Sequence, residues 1–477
     1  MTCFISKSNE AAANLILLSS LGKSADTEPM NILVLGAGII GISTAWHLRE
    51  RGHQVTVVDR QSGPALETSF ANGGQISVSY CEPWANRQAP WKALKWMFDK
   101  QAPLLFRPQL DPAQWRWCLQ FLAQCNDRAF ARNVEQIVAL GAYSHQALKD
   151  VIASTGIEFE RLERGIAHFY SSQKALDEAE AGVKLMRQYG VQRRLVTRDE
   201  LLKIEPAFTP YAAQIAGGTF TESDESGDAK IFTERLAKLC AERGVEFIYG
   251  QQVLQLQAAH NGKPALARIA PVSTGSSANA AHTLSADAIV VACGSYTPLL
   301  LKPLGVNMPI YPGKGYSATL PLLKPEQAPV VSTIDDSRKI AMSRLGNHLR
   351  VAGTIELGGF DLSLDSPTAR ARCQMLTQRV EELMPGVCDT RLPEEGGNPQ
   401  FWCGLRPATP TNIPFIGATQ AKGIWVNAGH GTLGWTHGAG SGKALAALIS
   451  GEQPALAFGF AGNTRPRPLR STTAVTA

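Results

Sequence analysis

Hydrophobic residues near the start of the chain fall into short, dense runs. The run over residues 31–35 predicts a buried strand, and the apolar positions of residues 39–48 have the spacing of an amphipathic helix. A second apolar run over residues 55–58 predicts another buried strand. A strand, a helix and a second strand within about 30 residues form a βαβ unit.

The turn between the first strand and the helix has a glycine pattern that binds nucleotides in other βαβ units. It reads Gly36-Ala37-Gly38-Ile39-Ile40-Gly41, and the second strand ends at Asp59. The first glycine permits a tight turn, the second the approach of a pyrophosphate, and the third close packing of the helix. The pyrophosphate would lie at the helix N-terminus, and Asp59 is placed to bind a ribose 2'-hydroxyl. The pattern predicts an adenine dinucleotide site; a βαβ unit without a ligand is the alternative.

Later segments predict further elements of the same domain. The segments 286–296 and 423–431, short apolar runs that end in small residues, are typical of parallel strands whose carboxyl ends meet a ligand. A helix is predicted over residues 441–449. Asp228 predicts the N-cap of another helix, which is followed by a strand over residues 245–249.

The remaining segments predict a second domain. Residues 339–344 and 348–354 alternate as two strands around a short turn, which indicates a hairpin. Helices are predicted over residues 126–153 and 172–189, and residues 271–282 are typical of a surface loop.

The predicted fold is α/β, with a Rossmann-like dinucleotide domain of discontinuous segments and an α+β second domain with a mainly antiparallel sheet. The predicted boundaries are 30–80, 217–300 and 396–452 for the first domain and 81–216 and 301–395 for the second. Residues 1–29 are predicted to be a disordered extension, with a poor export signal as the alternative, and residues 453–477 a C-terminal tail.

Composition restricts the class of protein. With 477 residues, of which 44% are hydrophobic, the chain can bury the cores of two or three domains. No stretch approaches the roughly 18 to 20 apolar residues of a membrane-spanning helix. Nine scattered cysteines without a Cys-x-x-Cys pair argue against a disulfide framework or a zinc site and favour a cytoplasmic location. The net charge of +5, from dispersed residues, does not indicate nucleic-acid binding.

The motifs, taken together, resemble the D-amino acid dehydrogenase small-subunit family, within the superfamily of D-amino acid oxidase, glycine oxidase and sarcosine oxidase. The matching segments after the glycine fingerprint are 67–77, 94–98, 311–317, 401–410 and 429–436. The last, Gly-His-Gly-Thr-Leu-Gly-Trp-Thr, is the most specific. The chain departs from the family in its N-terminal extension, in the loop near residue 275 and at Gly313, where the family often has a larger apolar residue.

The resemblance implies non-covalent FAD and a small D-amino acid, D-alanine foremost, that is oxidised to a 2-oxo acid and ammonia. It also implies a quinone or another respiratory acceptor in place of oxygen, at the inner face of the bacterial plasma membrane. The predicted cofactor contacts are Val34, Gly36, Ala37, Gly38, Ile39, Ile40, Gly41, Asp59, Arg60, Gly74, Val253, Gly294, Gly431, Thr432 and Gly434.

Substrate oxidation by a flavin needs a cation for the substrate carboxylate, and Arg406 is the predicted one. A guanidinium can hold a carboxylate in an oriented, two-pronged grip. The alternative is that Arg406 only pins the loop before Pro407 through backbone carbonyls. Tyr311 and Tyr316 are candidates for hydroxyl contacts to the substrate, with core packing as the alternative.

Two further residues are candidates near the flavin. Lys314 lies between two glycines, where a cation would stabilise an anionic reduced flavin; a solvated turn lysine is the alternative. His430 follows a predicted strand end, and a role in the cofactor loop is favoured over a role as general base; a structural role is the alternative, because a lone histidine is more often structural than catalytic. The sequence shows no metal-ligand spacing, and no metal is predicted.

Residues 84–117 are rich in tryptophan and basic residues. Five of the nine tryptophans lie there, with six basic and only two acidic residues. This composition is typical of a peripheral membrane contact, with rings at headgroup depth and cations on anionic lipid. The alternative is that the rings build the core of the second domain.

Other functions remain as alternatives. Another enzyme of the superfamily would oxidise glycine, sarcosine or proline. An NAD(P)H-flavin reductase would carry a second fingerprint, and residues 438–442 have the wrong glycine spacing for one. A non-enzymatic FAD-binding protein gives no reason for Arg406.

Overall fold

The computed structural model describes residues 28–96, 102–272 and 280–462. The strands, in chain order, are β1 Asn31–Leu35, β2 Gln54–Val58, β3 Gln75–Ile76, β4 Leu104–Phe106, β5 Ile166–Tyr170, β6 Arg194–Thr197, β7 Gly217–Thr221, β8 Glu225–Ser226, β9 Glu246–Ile248, β10 Gln251–Gln257, β11 Ala265–Pro271, β12 His282–Ala286, β13 Ala288–Val291, β14 Tyr311–Pro321, β15 Ser332–Asp335, β16 Ile340–Leu345, β17 His348–Leu357, β18 Gln400–Ala408, β19 Phe415–Ala418 and β20 Ile424–Ala428.

The α-helices are α1 Ile39–Glu50, α2 Ala89–Trp96, α3 Pro112–Gln124, α4 Asp127–Thr155, α5 Gln173–Gln188, α6 Arg198–Ile204, α7 Ala229–Glu242, α8 Thr297–Leu301, α9 Pro367–Leu383 and α10 Gly434–Ile449. Short 3-10 helices cover Val78–Tyr80, Pro206–Gln214, Gly294–Tyr296, Lys302–Leu304, Pro325–Gln327 and Pro393–Glu395.

The predicted βαβ unit is present as β1, α1 and β2, at the centre of a six-stranded sheet. The strand order is β19-β20-β13-β1-β2-β9, and only β19 runs antiparallel to its neighbour. Ile32 and Val34 of β1 pack on the helix side, against α1, α4, α7 and α10. Leu33 and Leu35 pack on the other side, against the antiparallel sheet β10-β11-β12. Both faces are covered, which explains why the strand sequences are continuously apolar.

Helix α10 begins at Gly434, well before the predicted start at residue 441. The reason is that its glycines serve close packing between helices. A Cβ at Gly440 would lie 2.4 Å from the Ser144 Cα of α4, and one at Gly442 would lie 2.6 Å from the Ser43 carbonyl carbon of α1. Glycine usually weakens a helix, so local propensity alone underestimates this element.

The second large sheet has the order β18-β14-β17-β16-β15-β5-β7-β6, with β4 beside β17. Its pairs are antiparallel except β15 with β5 and β4 with β17, so the predicted mainly antiparallel sheet is confirmed. The predicted hairpin is β16-β17, and the two predicted helices are α4 and α5. One face of this sheet packs on α9.

Two strands pair in a different domain from the one that the predicted boundaries gave them. Strands β7 and β18 lie in segments assigned to the dinucleotide domain but pair in the large antiparallel sheet. Residues 453–462 of the predicted tail pack on the protein: Phe458 and Phe460 are buried, and the Ala461 N–H donates to the Ile416 carbonyl over 2.8 Å. The sheet to which a strand belongs is decided by partners that are distant in sequence.

Three other predictions concern residues that lie outside the described ranges. They are residues 1–27 of the extension, 273–279 of the surface loop, and 463–477 of the tail. In the part of the chain that is described, none of the helices has the length and apolar character needed to span a membrane.

Candidate active site

A cavity of about 1480 Å³ is lined by the carboxyl ends of β1, β2, β13 and β20 and by one face of the large sheet. Sites for one small molecule are usually about 300–1,000 Å³, so this cavity has room for more than one ligand. The predicted cofactor contacts that line it are Gly36, Gly38, Ile39, Ile40, Asp59, Arg60, Gly74, Val253, Gly294, Gly431, Thr432 and Gly434. Val34, Ala37 and Gly41 lie behind this lining.

The glycine loop brings the N-terminus of α1 to the cavity. Gly36 has φ +108°, and a Cβ there would lie 2.5 Å from the Ala292 carbonyl oxygen of the neighbouring strand end. A Cβ at Gly41 would lie 1.8 Å from the Gly36 carbonyl oxygen. Because Gly36 and Gly41 have no side chains, the loop and helix α1 can lie in contact. Backbone N–H groups at the positive end of α1 can then approach an anion.

Asp59 lies at the end of β2, beside the glycine loop. Its carboxylate accepts hydrogen bonds from the Ala37 N–H over 2.6 Å and from the Gln61 N–H over 2.8 Å. Burial raises the pKa of Asp59, although these two bonds oppose the shift. Each carboxylate oxygen keeps a lone pair for a ribose hydroxyl. Loop and carboxylate together fit the pyrophosphate and ribose of an adenine dinucleotide.

A second helix N-terminus faces the same cavity. Strand β20 ends at Ala428, and the loop that follows turns through Gly429 and Gly431, with φ of +91° and +54°, into α10. The Gly431 N–H donates to the Pro407 carbonyl over 2.9 Å. The loop therefore joins the nucleotide-binding sheet to strand β18 of the large sheet.

Residues of the segment 67–74 also line the cavity, next to the glycine loop. Thr68 donates to the Leu405 carbonyl over 2.8 Å, and Ser69 accepts from the Ile39 N–H over 3.0 Å. Only Gly74 of this segment was predicted to contact the cofactor. The signal was present in the small residues Ser69, Ala71, Gly73 and Gly74, which can pass closely between two sheets.

Arg406 lies on β18 and lines the cavity. Its Nη1 donates to the Thr354 carbonyl over 2.9 Å, and the guanidinium occupies the space that a Cβ at Gly315 would need. Burial lowers the pKa of Arg406 to about 10, so the side chain is still a cation at neutral pH. No carboxylate lies within ion-pair distance among the residues described. A buried cation without a counter-ion is costly unless a ligand supplies the negative charge.

Lys314 and Tyr316 are not brought together with Arg406. Gly313 lies opposite Arg406 in the β14-β18 register. Side chains alternate between the two faces along a strand, so Lys314 and Tyr316 lie on the face opposite to Arg406. There the Lys314 ammonium donates to the Ser363 carbonyl over 2.6 Å, and the Tyr316 hydroxyl donates to Glu356 over 2.7 Å. Lys314 is not among the residues that line the cavity. Tyr316 does border the cavity, but its hydroxyl donates to Glu356.

Tyr311 is on the Arg406 face but is buried against the ring of Trp117, with ring centroids 6.5 Å apart. Burial, followed by the nearby charge of Asp111, raises the pKa of Tyr311 to about 12. Its hydroxyl therefore stays protonated in the physiological range. The Tyr311 side chain packs in the core beside the cavity, which is the alternative predicted from the sequence.

His430 lines the cavity between the two glycines of the α10 loop. It is 2% exposed, and neither ring nitrogen has a hydrogen-bond partner in the described structure. Burial, and then the charge of His437, lowers the pKa of His430 well below its ordinary value. The ring is neutral at pH 7, with one donor and one acceptor free to meet a ligand.

A polar group on the far side of the cavity was missed by sequence reasoning. Arg193 is buried, donating to Glu82 over 3.1 Å and to the Tyr170 hydroxyl over 3.2 Å. Asp336 and Lys339 line the same region. These residues come from separate segments without a motif, so only tertiary pairing brings them together.

The packing at Gly41 yields a direct test of the glycine loop. Gly41→Ala places a Cβ against a backbone oxygen, and such overpacking costs about 1–3 kcal/mol. Bound flavin per protein after purification is expected to fall, with the affinity about tenfold to a hundredfold weaker. Gly63→Ala is the matched control, because its Cβ would meet only Leu66 at 3.8 Å. Full flavin content in Gly41→Ala would contradict this account of the loop.

The chain matches a family of proteins that depend on the cofactor that this geometry fits. Residues 31–448 match the family model of FAD dependent oxidoreductases (DAO). The D-amino acid dehydrogenase of Dechloromonas aromatica is 47% identical over 431 residues, covering 90% of this chain and 99% of that protein. The family resemblance predicted from the motifs is thereby confirmed, and so is FAD as the cofactor.

Two solved structures share the fold. Glycine oxidase from Geobacillus kaustophilus superposes with a TM-score of 0.65 at 18% identity, covering 90% of this chain and 97% of that one. L-proline dehydrogenase from P. horikoshii gives 0.66 at 16% identity, covering 90% and 95%. On the sequence match, the chain belongs to the FAD dependent oxidoreductase family, among the relatives that are named D-amino acid dehydrogenase.

Proposed function

We propose that this protein oxidises small D-amino acids, with D-alanine as the first candidate, to 2-oxo acids and ammonia. The observation that carries the proposal is Arg406, a half-buried cation on the cavity wall to which the described residues supply no counter-ion. A substrate carboxylate would supply the missing charge and be oriented by the guanidinium fork. The names of the relatives, D-amino acid dehydrogenase, support the choice of substrate class.

Different residues along the cavity would bind different parts of FAD and the substrate. The glycine loop and Asp59 would hold the adenosine and pyrophosphate end of FAD, and the loop from Gly431 to Gly434 the flavin end. Bound FAD would accept the substrate α-hydrogen as a hydride, which leaves an imino acid that water hydrolyses. Neutral His430 would offer its ring nitrogens to the flavin or to the substrate amine. The two-domain division predicted from the sequence, with a FAD-binding and a substrate domain, is part of this proposal.

The experiment is anaerobic mixing of the yellow holoenzyme with candidate reductants. D-alanine is expected to bleach the flavin absorbance. Bleaching by sarcosine, glycine or L-proline, without D-alanine, would replace the proposal with another activity of the superfamily. Bleaching by NADH alone would overturn amino-acid oxidation altogether.

We also propose that electrons leave the protein to a quinone at the inner face of the bacterial plasma membrane, where the cytoplasmic enzyme binds peripherally. The support is a surface on α2 and α3, here called the α2-α3 surface, with exposed apolar and basic side chains. Its members are Trp91, Lys92, Leu94, Lys95, Trp115, Arg116, Leu119 and Leu122. Trp91 is 74% and Leu119 69% exposed, so these apolar side chains lack cover on the protein.

The tryptophans of residues 84–117 do not share one role. Trp91 and Trp115 are exposed, Trp117 is buried in the core, and Trp84 is half-buried. Lys92, Lys95 and Arg116 have no ion-pair partner in the described ranges, and an anionic lipid surface would supply one.

A further inference from the structure

One end of the cavity is built from apolar side chains and is here called the aromatic chamber. It is lined by Trp84, Leu104, Phe106, Trp117, Cys118 and Phe121. The Trp117 and Phe121 rings stack with centroids 5.2 Å apart and an interplanar angle of 13°. The chamber is part of the same cavity as the glycine loop and Arg406.

Two polar side chains in the wall of the chamber are already satisfied by the protein. The Trp117 indole N–H donates to the Ala408 carbonyl over 2.8 Å. Buried Gln114 ties α3 to the large sheet, donating to the Arg107 and Leu357 carbonyls over 2.9 and 3.2 Å. The chamber therefore offers ring faces and few free hydrogen-bonding groups, a surface that suits a planar, uncharged ligand better than a zwitterion.

The chamber adjoins the proposed substrate site. Ala408, which anchors Trp117, follows Arg406 by two residues on β18 and lies on the same face of the sheet. Two residues of strand span about 7 Å. A molecule in the chamber would thus lie next to the part of the cavity that Arg406 borders.

The rim of the chamber belongs to the α2-α3 surface. Trp115 and Leu122 line the cavity and are also 47% and 51% exposed. The polar side chains Arg193, Asp336 and Lys339 also line the cavity. The cavity therefore has an apolar and a polar part with different ligand chemistry.

We infer that the aromatic chamber binds the ring of a lipid-soluble acceptor of the quinone class, which enters from the bilayer past α2 and α3. The inference rests on the proposed function, since it locates the acceptor of that reaction. It assigns one side of the cavity to an apolar molecule from the membrane and the other to a water-soluble amino acid.

The test measures binding of a short-tailed benzoquinone to oxidised holoenzyme in detergent by calorimetry, without turnover. Phe121→Ala removes the stacked ring, and Cys118→Trp fills the chamber; each is expected to weaken binding about tenfold or more. Gln120→Ser, exposed on the same helix but outside both the cavity lining and the α2-α3 surface, is the matched control and is expected to bind the quinone as the wild type does. Flavin content identifies a variant that fails to fold.

Wild-type affinity in both chamber variants would overturn the inference. So would unchanged quinone affinity together with slower anaerobic bleaching by D-phenylalanine, since that result assigns the chamber to a substrate side chain. Bleaching of the wild type by D-alanine tests the proposed function separately. Either conclusion can therefore fail while the other stands.

Discussion

Arg406→Met is expected to lower kcat/KM for D-alanine by about 30-fold or more while leaving the melting temperature of the substrate-free holoenzyme unchanged or higher. Removing one partner of a buried charge pair typically costs about 2–5 kcal/mol in binding. In the free enzyme the Thr354 carbonyl is the hydrogen-bond partner that the described residues give this cation, and burial removes water from it. Its removal therefore relieves a cost in the unliganded state.

The combination of lower activity and retained stability separates the two roles weighed for Arg406. If the side chain only pinned the loop before Pro407, the methionine variant would melt at a lower temperature. Steady-state kinetics with D-alanine and thermal unfolding followed by flavin fluorescence measure the two quantities. Bound flavin, measured alongside, shows whether the cofactor site is intact.

Two further variants control this experiment. Arg406→Lys keeps the charge but loses the two-pronged fork, and its kcat/KM is expected to lie between those of wild type and Arg406→Met. Arg391→Lys makes the same substitution at an exposed arginine paired with Asp389 and is expected to leave kcat/KM unchanged. Wild-type kinetics in Arg406→Met would remove the carboxylate-binding role.

The second large effect is expected on membrane binding. Trp91→Ser combined with Leu119→Ser should reduce co-sedimentation with anionic vesicles at least about tenfold, since burying one large apolar side chain contributes about 1.5–3 kcal/mol. Both residues are largely exposed on the α2-α3 surface. Wild-type binding should weaken as salt rises, because the basic residues act on anionic lipid through screened charges.

Leu254→Ser combined with Leu323→Ser is the matched control, because these leucines are 46% and 56% exposed outside the α2-α3 surface. It should bind vesicles as the wild type does. Lys92→Gln with Lys95→Gln should weaken binding to anionic vesicles and reduce its salt dependence. No vesicle binding by the wild type, or equal binding by all variants, would argue against a membrane role for this surface.

Local patterns in the chain determined the nucleotide-binding unit. The order of strand, glycine turn, helix and acidic strand end lies within residues 31–59, so the whole motif can be recognised in one short segment. Motif resemblance likewise identified the family and drew attention to Arg406. The predictions of family and cofactor are confirmed because the chemistry and the signal lie in the same short segments, whereas the role of Arg406 stays a prediction.

The tertiary structure decided which side chains face the cavity. Lys314 and Arg406 come from adjacent strands, but the β14-β18 register opposes Arg406 to Gly313 and turns Lys314 to the other face. A shift of one residue would exchange the two faces, and the register between β14 and β18 cannot be read from the sequence.

Helix packing decides exposure in the same way: Trp91 is exposed and Trp117 is buried, although both lie in one tryptophan-rich segment. The glycines of α10 show the reverse case: they look unfavourable for a helix until the close approach of α1 and α4 explains them. The sequence alone thus determined the cofactor class and the family, while long-range pairing and packing decided where the cavity, its cation and its apolar end lie.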